Sequence, residues 1–145
     1  MKFYFDTSVL VAASVQGHSH YAPAMQALDA MVSQGHRGYM SAHSLAETYA
    51  VLTRTPFVPA IYPSEAWQVL EVSILPHLEI VALSAAEYKQ LVRQCAAQGQ
   101  IGGRVYDAIH LRCAEKTSCD RLYTFHVRDF RSLAPEEFRE RICAP

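Results

Sequence analysis

Four carboxylates stand where the local pattern of the chain changes. Asp6 follows the apolar run Phe3-Tyr4-Phe5 and precedes two hydroxyls, Thr7 and Ser8. Glu47 lies early in an amphipathic stretch that opens near Ser41 or Ser44, and Asp107 in the first turn of a longer stretch that opens at Arg104. Asp129 follows the apolar segment Arg121 to Phe125, in what reads as a loop running from His126 to Leu133. If such acids converge, they repel one another and cannot all stay ionised without a cation. An oxygen-only donor set selects a hard divalent ion, magnesium or manganese, over zinc. On a phosphodiester such an ion makes hydroxide from water near neutral pH and neutralises charge on the attacked phosphorus and the leaving oxygen, so no nucleophilic side chain is required.

Each acid also has a plainer explanation. Ser44-Leu45-Ala46-Glu47 fits a capping box, in which Glu47 only satisfies a helix end. Asp6 before Thr7-Ser8 is placed to cap the next helix. Asp129 sits between Arg128 and Arg131 and, taken alone, reads rather as a solvated acid with arginine neighbours. Asp107 is the exception: it stands between Tyr106 and Ala108 on a mostly apolar helix, where a carboxylate without a partner is costly to bury.

The elements that must position these residues follow from periodicity. An apolar run ending at Asp6 reads as a buried strand whose carboxyl end delivers a carboxylate into a crevice. Thr7 to Ser14 reads as a short helical turn. Tyr21, Ala24, Met25, Leu28, Met31 and Val32 recur at helical spacing until Gly35. Gly38 to Ser41 is a strand, and Leu45, Tyr49 and Leu52 mark a helix stopped by Pro56. Ser64 opens a helix with Trp67, Leu70 and Ile74 on one face, and Pro76 stops it. Glu79 to Leu83 is a strand, Ser84 and Glu87 form a capping box ahead of Tyr88, Leu91, Val92 and Cys95, and Gly99 ends that helix. Arg104 to Lys116 is a helix apolar on more than one side, and Arg121 to Phe125 a strand. Pro135 to Phe138 is a last helical turn, with a short terminal strand near Arg141 to Cys143. This alternation argues for a parallel sheet with helices on its faces. In such a sheet a helix that follows a strand starts at the strands' carboxyl edge, which assigns all four acids to one edge. Strand order, and hence whether they meet, is not contained in the pattern.

Composition narrows the function class. The 145 residues, half of them hydrophobic, suffice for one well-filled core, so a single domain over 1–145 is expected. A formal charge of -1 gives no global field for a polyanion, so any nucleic-acid contact depends on local basic groups. The four cysteines form no C-x-x-C pair and read as reduced, mostly buried thiols. No apolar run approaches the ~18 residues of a membrane helix, and a soluble cytoplasmic protein is expected. Seven histidines lie apart without an H-x-x-x-H pair. His110, three residues after Asp107, is placed either to hydrogen-bond within a site or to be a satisfied core histidine. Arg104, Arg112, Arg128 and Arg131 cluster around the acids in sequence and are candidate phosphate contacts or solvated arginines.

Taken together, Phe5-Asp6-Thr7-Ser8, Leu45-Ala46-Glu47, the run Gly102 to Ala108, and Leu122-Tyr123-Thr124 followed by Arg128-Asp129-Phe130-Arg131 resemble a PIN domain. The likeness is closest to the VapC toxins of type II toxin-antitoxin systems and covers nearly the whole chain. It implies a three-layer α/β/α PIN-like domain with a central parallel sheet of four to five strands in the order 3-2-1-4-5. It also implies a magnesium- or manganese-dependent endoribonuclease cutting RNA with metal-activated water, a homodimer held inactive by a VapB-like antitoxin. By position, Asp6, Glu47 and Asp107 match the family's metal-binding acids. Thr7 or Ser8 steadies the site through a hydroxyl and Thr124 sits beside it, while Arg104 and Arg128 are candidates for RNA phosphate contact. Relatives often carry Asp or Asn two residues after the threonine of the fourth strand; here that residue is His126, and Asp129 becomes the candidate fourth acid. Imidazole in that place would weaken a second metal site or move preference toward manganese, which accepts it more readily than magnesium does. Two rival readings follow from the same residues: a PIN-like module without catalysis that binds RNA or dimerises, and an unrelated phosphohydrolase using Asp6 as nucleophile. The second typically wants an aspartate where Ser8 stands.

Overall fold

The structure, a computed structural model, describes residues Met1 to Pro145. Its first strand, β1 (Lys2–Phe5), shows why the chain folds in layers. Side chains alternate across a strand, so Phe3 and Phe5 enter one core and Tyr4 the other. β1 is bordered on both sides by parallel partners: Tyr4 pairs with Tyr39 of β2 (Arg37–Ser41) and with Leu122 of β4 (Arg121–Tyr123). β3 (Leu78–Val81) lies outside β2 and β5 (Ile142–Cys143) outside β4, which completes a five-stranded parallel sheet in the order β3-β2-β1-β4-β5.

One face of this sheet is covered by α1 (Thr7–Ser14), α2 (Tyr21–Ser33) and the segment after α4 (Pro63–Val69). Their Val9, Leu10, Ala24, Leu28, Met31, Leu70 and Ile74 pack with Phe3, Phe5 and Met40. α4 runs on through a π-helical turn, Leu70–Ile74, closed by the Leu75 N–H donating to the Leu70 carbonyl at 2.9 Å. The added residue in that turn leaves both Leu70 and Ile74 buried. Gly38, in the middle of β2, is a close-approach site: a Cβ there would lie 2.3 Å from the Met31 sulfur and 2.4 Å from a Leu78 methyl. The other face is covered by α5 (Ala85–Ala97), α6 (Arg104–Thr117), α7 (Val127–Leu133) and α8 (Glu136–Arg139). There Leu91, Ile109, Leu111, Cys113, Phe130 and Phe138 surround Tyr4, Leu122 and Ile142. α3 (Ala42–Arg54) stands at the carboxyl edge and packs through Leu52 on Val11 and Ala66.

The element order read from the sequence is the observed one, and Thr7 to Ser14 is a helix of two turns over that same span. Two strands, read as ending at Leu83 and Phe125, stop at Val81 and Tyr123, which leaves Thr124 just past its strand. The stretch read as a loop from His126 to Leu133 contains α7, which buries Phe130 against the sheet and places Asp129 on a helix. All four cysteines are free; burial pushes the Cys113 and Cys119 thiols up to about 11. No helix is long and apolar enough to cross a membrane.

Candidate active site

At the carboxyl edge, Asp6 does two things at once. As N-cap of α1 it accepts the Ser8 N–H at 3.3 Å, and the same oxygen, Oδ2, accepts the Ser8 hydroxyl at 2.7 Å and the Thr124 hydroxyl at 3.0 Å. Its Oδ1 takes none of these and faces the His110 Nε2 at 3.7 Å. The loop after β4 is stitched to the same point: Ser8 Oγ accepts the Phe125 N–H, and Thr124 Oγ1 accepts the His126 N–H. Capping and a site role for Asp6 are therefore compatible, because they use different oxygens.

Glu47 is brought to this edge by the register of α3. Ser41, not Ser44, is the N-cap and accepts the Ser44 N–H at 2.8 Å. Glu47 thus lies a turn too late to close a capping box, and its carboxylate turns to His43 Nε2 at 3.0 Å and to His110 Nε2 at 3.6 Å. The His110 imidazole draws the Glu47 carboxyl down to about 2, against the upward pull of burial.

His110 is the buried centre of the arrangement, 1% exposed. Its Nδ1 lies 3.3 Å from the Tyr4 hydroxyl and 3.2 Å from each of the Ser41 and Ser44 hydroxyls. Its Nε2 faces Thr7 Oγ1, Asp6 and Glu47. Burial disfavours the imidazolium, yet the carboxylates of Glu47, Asp6 and Asp107 outweigh it and raise the His110 pKa. The core and site readings of this histidine are one and the same.

Asp107, one helical turn before His110 on α6, is the least compensated carboxyl. Burial first, and then the charge of Asp6, raise its pKa; His110 and Arg104 offset them only in part. Arg104 lies 3.9 Å from Asp107 and 3.7 Å from Asp129, and donates to the Ser132 hydroxyl at 2.6 Å.

Asp6, Glu47 and Asp107 line one cleft of about 520 Å³, with Thr7, Ser8 and His126. Asp129 does not line it: its side chain is 55% exposed and stands across the Arg104 guanidinium from Asp107. Arg128 is exposed on the outer side of α7, Arg131 is a strut donating to the Ile142 carbonyl, and Arg112 reaches Gln94 on α5. A second concavity of about 580 Å³, between α5, α6 and the α7–α8 segment, holds a lone acid, Glu115, and no converging set. The chemistry therefore selects the smaller cleft.

An Asp6 oxygen that accepts no hydrogen bond, an under-compensated Asp107 and Glu47 line the same cleft, and carboxylate oxygens are the donor chemistry of a hard divalent ion. Sequence reasoning missed His43 and the hydroxyls of Tyr4, Ser41 and Ser44 that face His110. The available signal was His43 four residues before Glu47, a spacing that puts both on one helix face.

The chain matches the PIN domain over residues 3–134. It is 35% identical over 132 residues to Ribonuclease VapC40 of Mycobacterium tuberculosis, covering 91% of this chain and 90% of that one. Among solved structures, VapC20 of Mycobacterium tuberculosis, described as a sarcin-ricin loop cleaving toxin, superposes with a TM-score of 0.70 at 17% identity over 91% of this chain and 95% of its own. VapBC2 of Rickettsia felis, solved bound to a DNA fragment of its promoter, gives 0.63 at 20% identity over 91% and 92%. FitAcB of Neisseria gonorrhoeae gives 0.62 at 21% identity over 88% and 90%. The fold is thus one that these solved structures share, and the chain belongs to the PIN-domain family, and within it to the VapC type.

Proposed function

We propose that this protein is a divalent-metal-dependent endoribonuclease, the toxin of a VapBC-type pair, hydrolysing RNA phosphodiesters by metal-activated water. The observation that carries this reading is that Asp6, Glu47 and Asp107 line one cleft, with one Asp6 oxygen accepting no hydrogen bond and facing the His110 imidazole. The likeness to a protein named a ribonuclease supports it from an independent direction.

In this reading Asp6, Glu47 and Asp107 hold magnesium or manganese, which when bound supplies the hydroxide and neutralises charge on the phosphate. Thr124 and Ser8 fix the Asp6 carboxylate by occupying Oδ2, so that Oδ1 keeps its aim. Thr7 holds the His110 ring from the cleft side. Arg104, already tethered to Ser132, offers a fixed cation beside Asp107, and the exposed Arg128 extends positive charge along α7 toward the RNA phosphates. Asp129 serves as an outer acid that orients Arg104, and His126 stands on the rim as a polar contact for substrate. A VapB-like antitoxin and a homodimer complete the assembly, in the cytoplasm.

The rival reading, a PIN-like module without catalysis, draws on His126 and on the distance of Asp129 from the cleft. Cleavage of a structured RNA panel by protein freed of any partner, with manganese, magnesium or EDTA, decides between them. Metal-dependent cutting that disappears in Asp107→Asn is the expected result. RNA binding without cutting under either metal replaces the nuclease by the binding module.

A further inference from the structure

Beside the oxygen donor set lies a second one of different character. His43 and Glu47 are four residues apart on α3 and present His43 Nε2 and Glu47 Oε2 at 3.0 Å. From α6, His110 brings Nε2 to 3.6 Å from the other Glu47 oxygen. One donor atom from each of the three lies within 4.8 Å of the others. Donors around a tetrahedral zinc ion, with bonds of about 2.0–2.1 Å, stand roughly 3.3 Å apart; the two histidine–carboxylate spacings lie near that value, one to each Glu47 oxygen, and small side-chain rotations close the rest. Ligating histidines are characteristically held through their second ring nitrogen. His110 has that support, its Nδ1 ringed by the hydroxyls of Tyr4, Ser41 and Ser44. His43 is oriented differently, by stacking on Tyr106 at 4.9 Å with the rings 19° from parallel.

We infer that His43, Glu47 and His110 form a binding site for a borderline divalent ion of the zinc type, and that an ion held there withdraws Glu47 from the oxygen set and inhibits the nuclease. Two imidazoles and one carboxylate are the donor set of a zinc site with a fourth position left to water. Magnesium, which wants oxygen ligands in octahedral array, does not compete for it. The two sites share one residue: Glu47 completes either the oxygen set with Asp6 and Asp107 or the nitrogen set with the histidines. Zinc is then a competitive brake on a magnesium- or manganese-supported reaction. The binding half of this inference stands on the residues alone; the inhibitory half rests on the nuclease reading.

The test uses full-length protein freed of partner and metal, titrated with zinc by calorimetry and with cobalt by visible absorption, which reports imidazole ligation in a four-coordinate site. Wild type is expected to take up one equivalent of zinc, with a rise in melting temperature. In His43→Ala, a change on the partly exposed face of α3, zinc affinity falls tenfold or more and the melting shift disappears, whereas Asp107→Asn binds zinc as wild type does. Zinc affinity unchanged in His43→Ala, or lost in Asp107→Asn and kept in His43→Ala, overturns the site. In the RNA arm, zinc suppresses manganese-supported cleavage by wild type, and at least tenfold more zinc is needed in His43→Ala; equal sensitivity of the two overturns the inhibitory half. A protein that binds zinc through His43 yet cuts no RNA under any metal refutes the nuclease and leaves the site standing. One that cuts RNA while its zinc binding ignores His43 does the reverse.

Discussion

Ser44-Leu45-Ala46-Glu47 and Ser84-Ala85-Ala86-Glu87 have the same pattern, and both glutamates are drawn down to about 2. The causes differ completely. At Glu87 the Ser84 N–H donates to the carboxylate at 2.6 Å, Ser84 Oγ accepts the Glu87 N–H, and Lys116 adds a contact at 2.9 Å. That is a helix end satisfying itself. At Glu47 the effect comes foremost from His110, a side chain of another helix. The difference is three residues of register: Ser84 is the N-cap of α5, while α3 begins at Ser41 and buries Ser44 in its first turn. A motif tells what its residues can do, and the start of the helix decides which of them does it.

The largest effect expected from breaking this comparison is on cleavage. Glu47→Gln should lower metal-supported RNA cleavage by at least about 100-fold, beyond the 10- to 100-fold typical of groups that merely support a metal ligand. Glu87→Gln, measured in the same assay, should leave it unchanged. If both variants cut equally well, Glu47 is no more than a second helix-end acid. Thr124→Ala frees Asp6 Oδ2 from one of its donors and should cost roughly 10- to 100-fold in cleavage or metal affinity, read from the metal dependence of the rate.

On the stability side the order reverses. Ser84→Ala removes a true N-cap and should lower unfolding stability by about 1 kcal/mol in urea, with cleavage intact. Smallest is the response to acid. Both glutamates have folded pKa values below their unfolded ones, so their contribution is complete above an unfolded value of about 4.3 and is lost as pH falls through about 2. The His110 pKa is raised, so its contribution is complete below its unfolded value and lost as pH rises through the folded one. Metal-free protein should therefore lose stability toward both ends of the range. In acid titrations of Glu47→Gln and Glu87→Gln, high salt should weaken the exposed Glu87 pair and leave the Glu47–His110 pair largely unscreened.

Much of this architecture was legible in local pattern. The Phe3/Phe5 and Tyr4 alternation, the helical spacing in α2 and α5 and the Ser84 capping box all read directly, because each is written in residues close together in sequence. The order of the strands was not, since pairing of β1 with both β2 and β4 depends on contacts between remote segments; it came from the PIN resemblance. In sequence α7 looks like a loop because its start carries no signal: His126 occupies the N-cap without a side-chain hydrogen bond. The candidate acids were visible as residue types at one edge. Which way they turn was not, and that is where Asp129 parted from the other three and where His43 entered.

One of the two hydroxyls that fix Asp6 belongs to Thr124, and the loop end is sewn to Ser8 through Phe125. Every carboxylate of the cleft, and His110 as well, precedes β4 in the chain, the strand laid against β1 whose end carries that hydroxyl. The aim of Asp6 is thus set in two stages: Ser8, its neighbour, is at hand from the start, and Thr124 arrives only when a segment 118 residues away docks beside it.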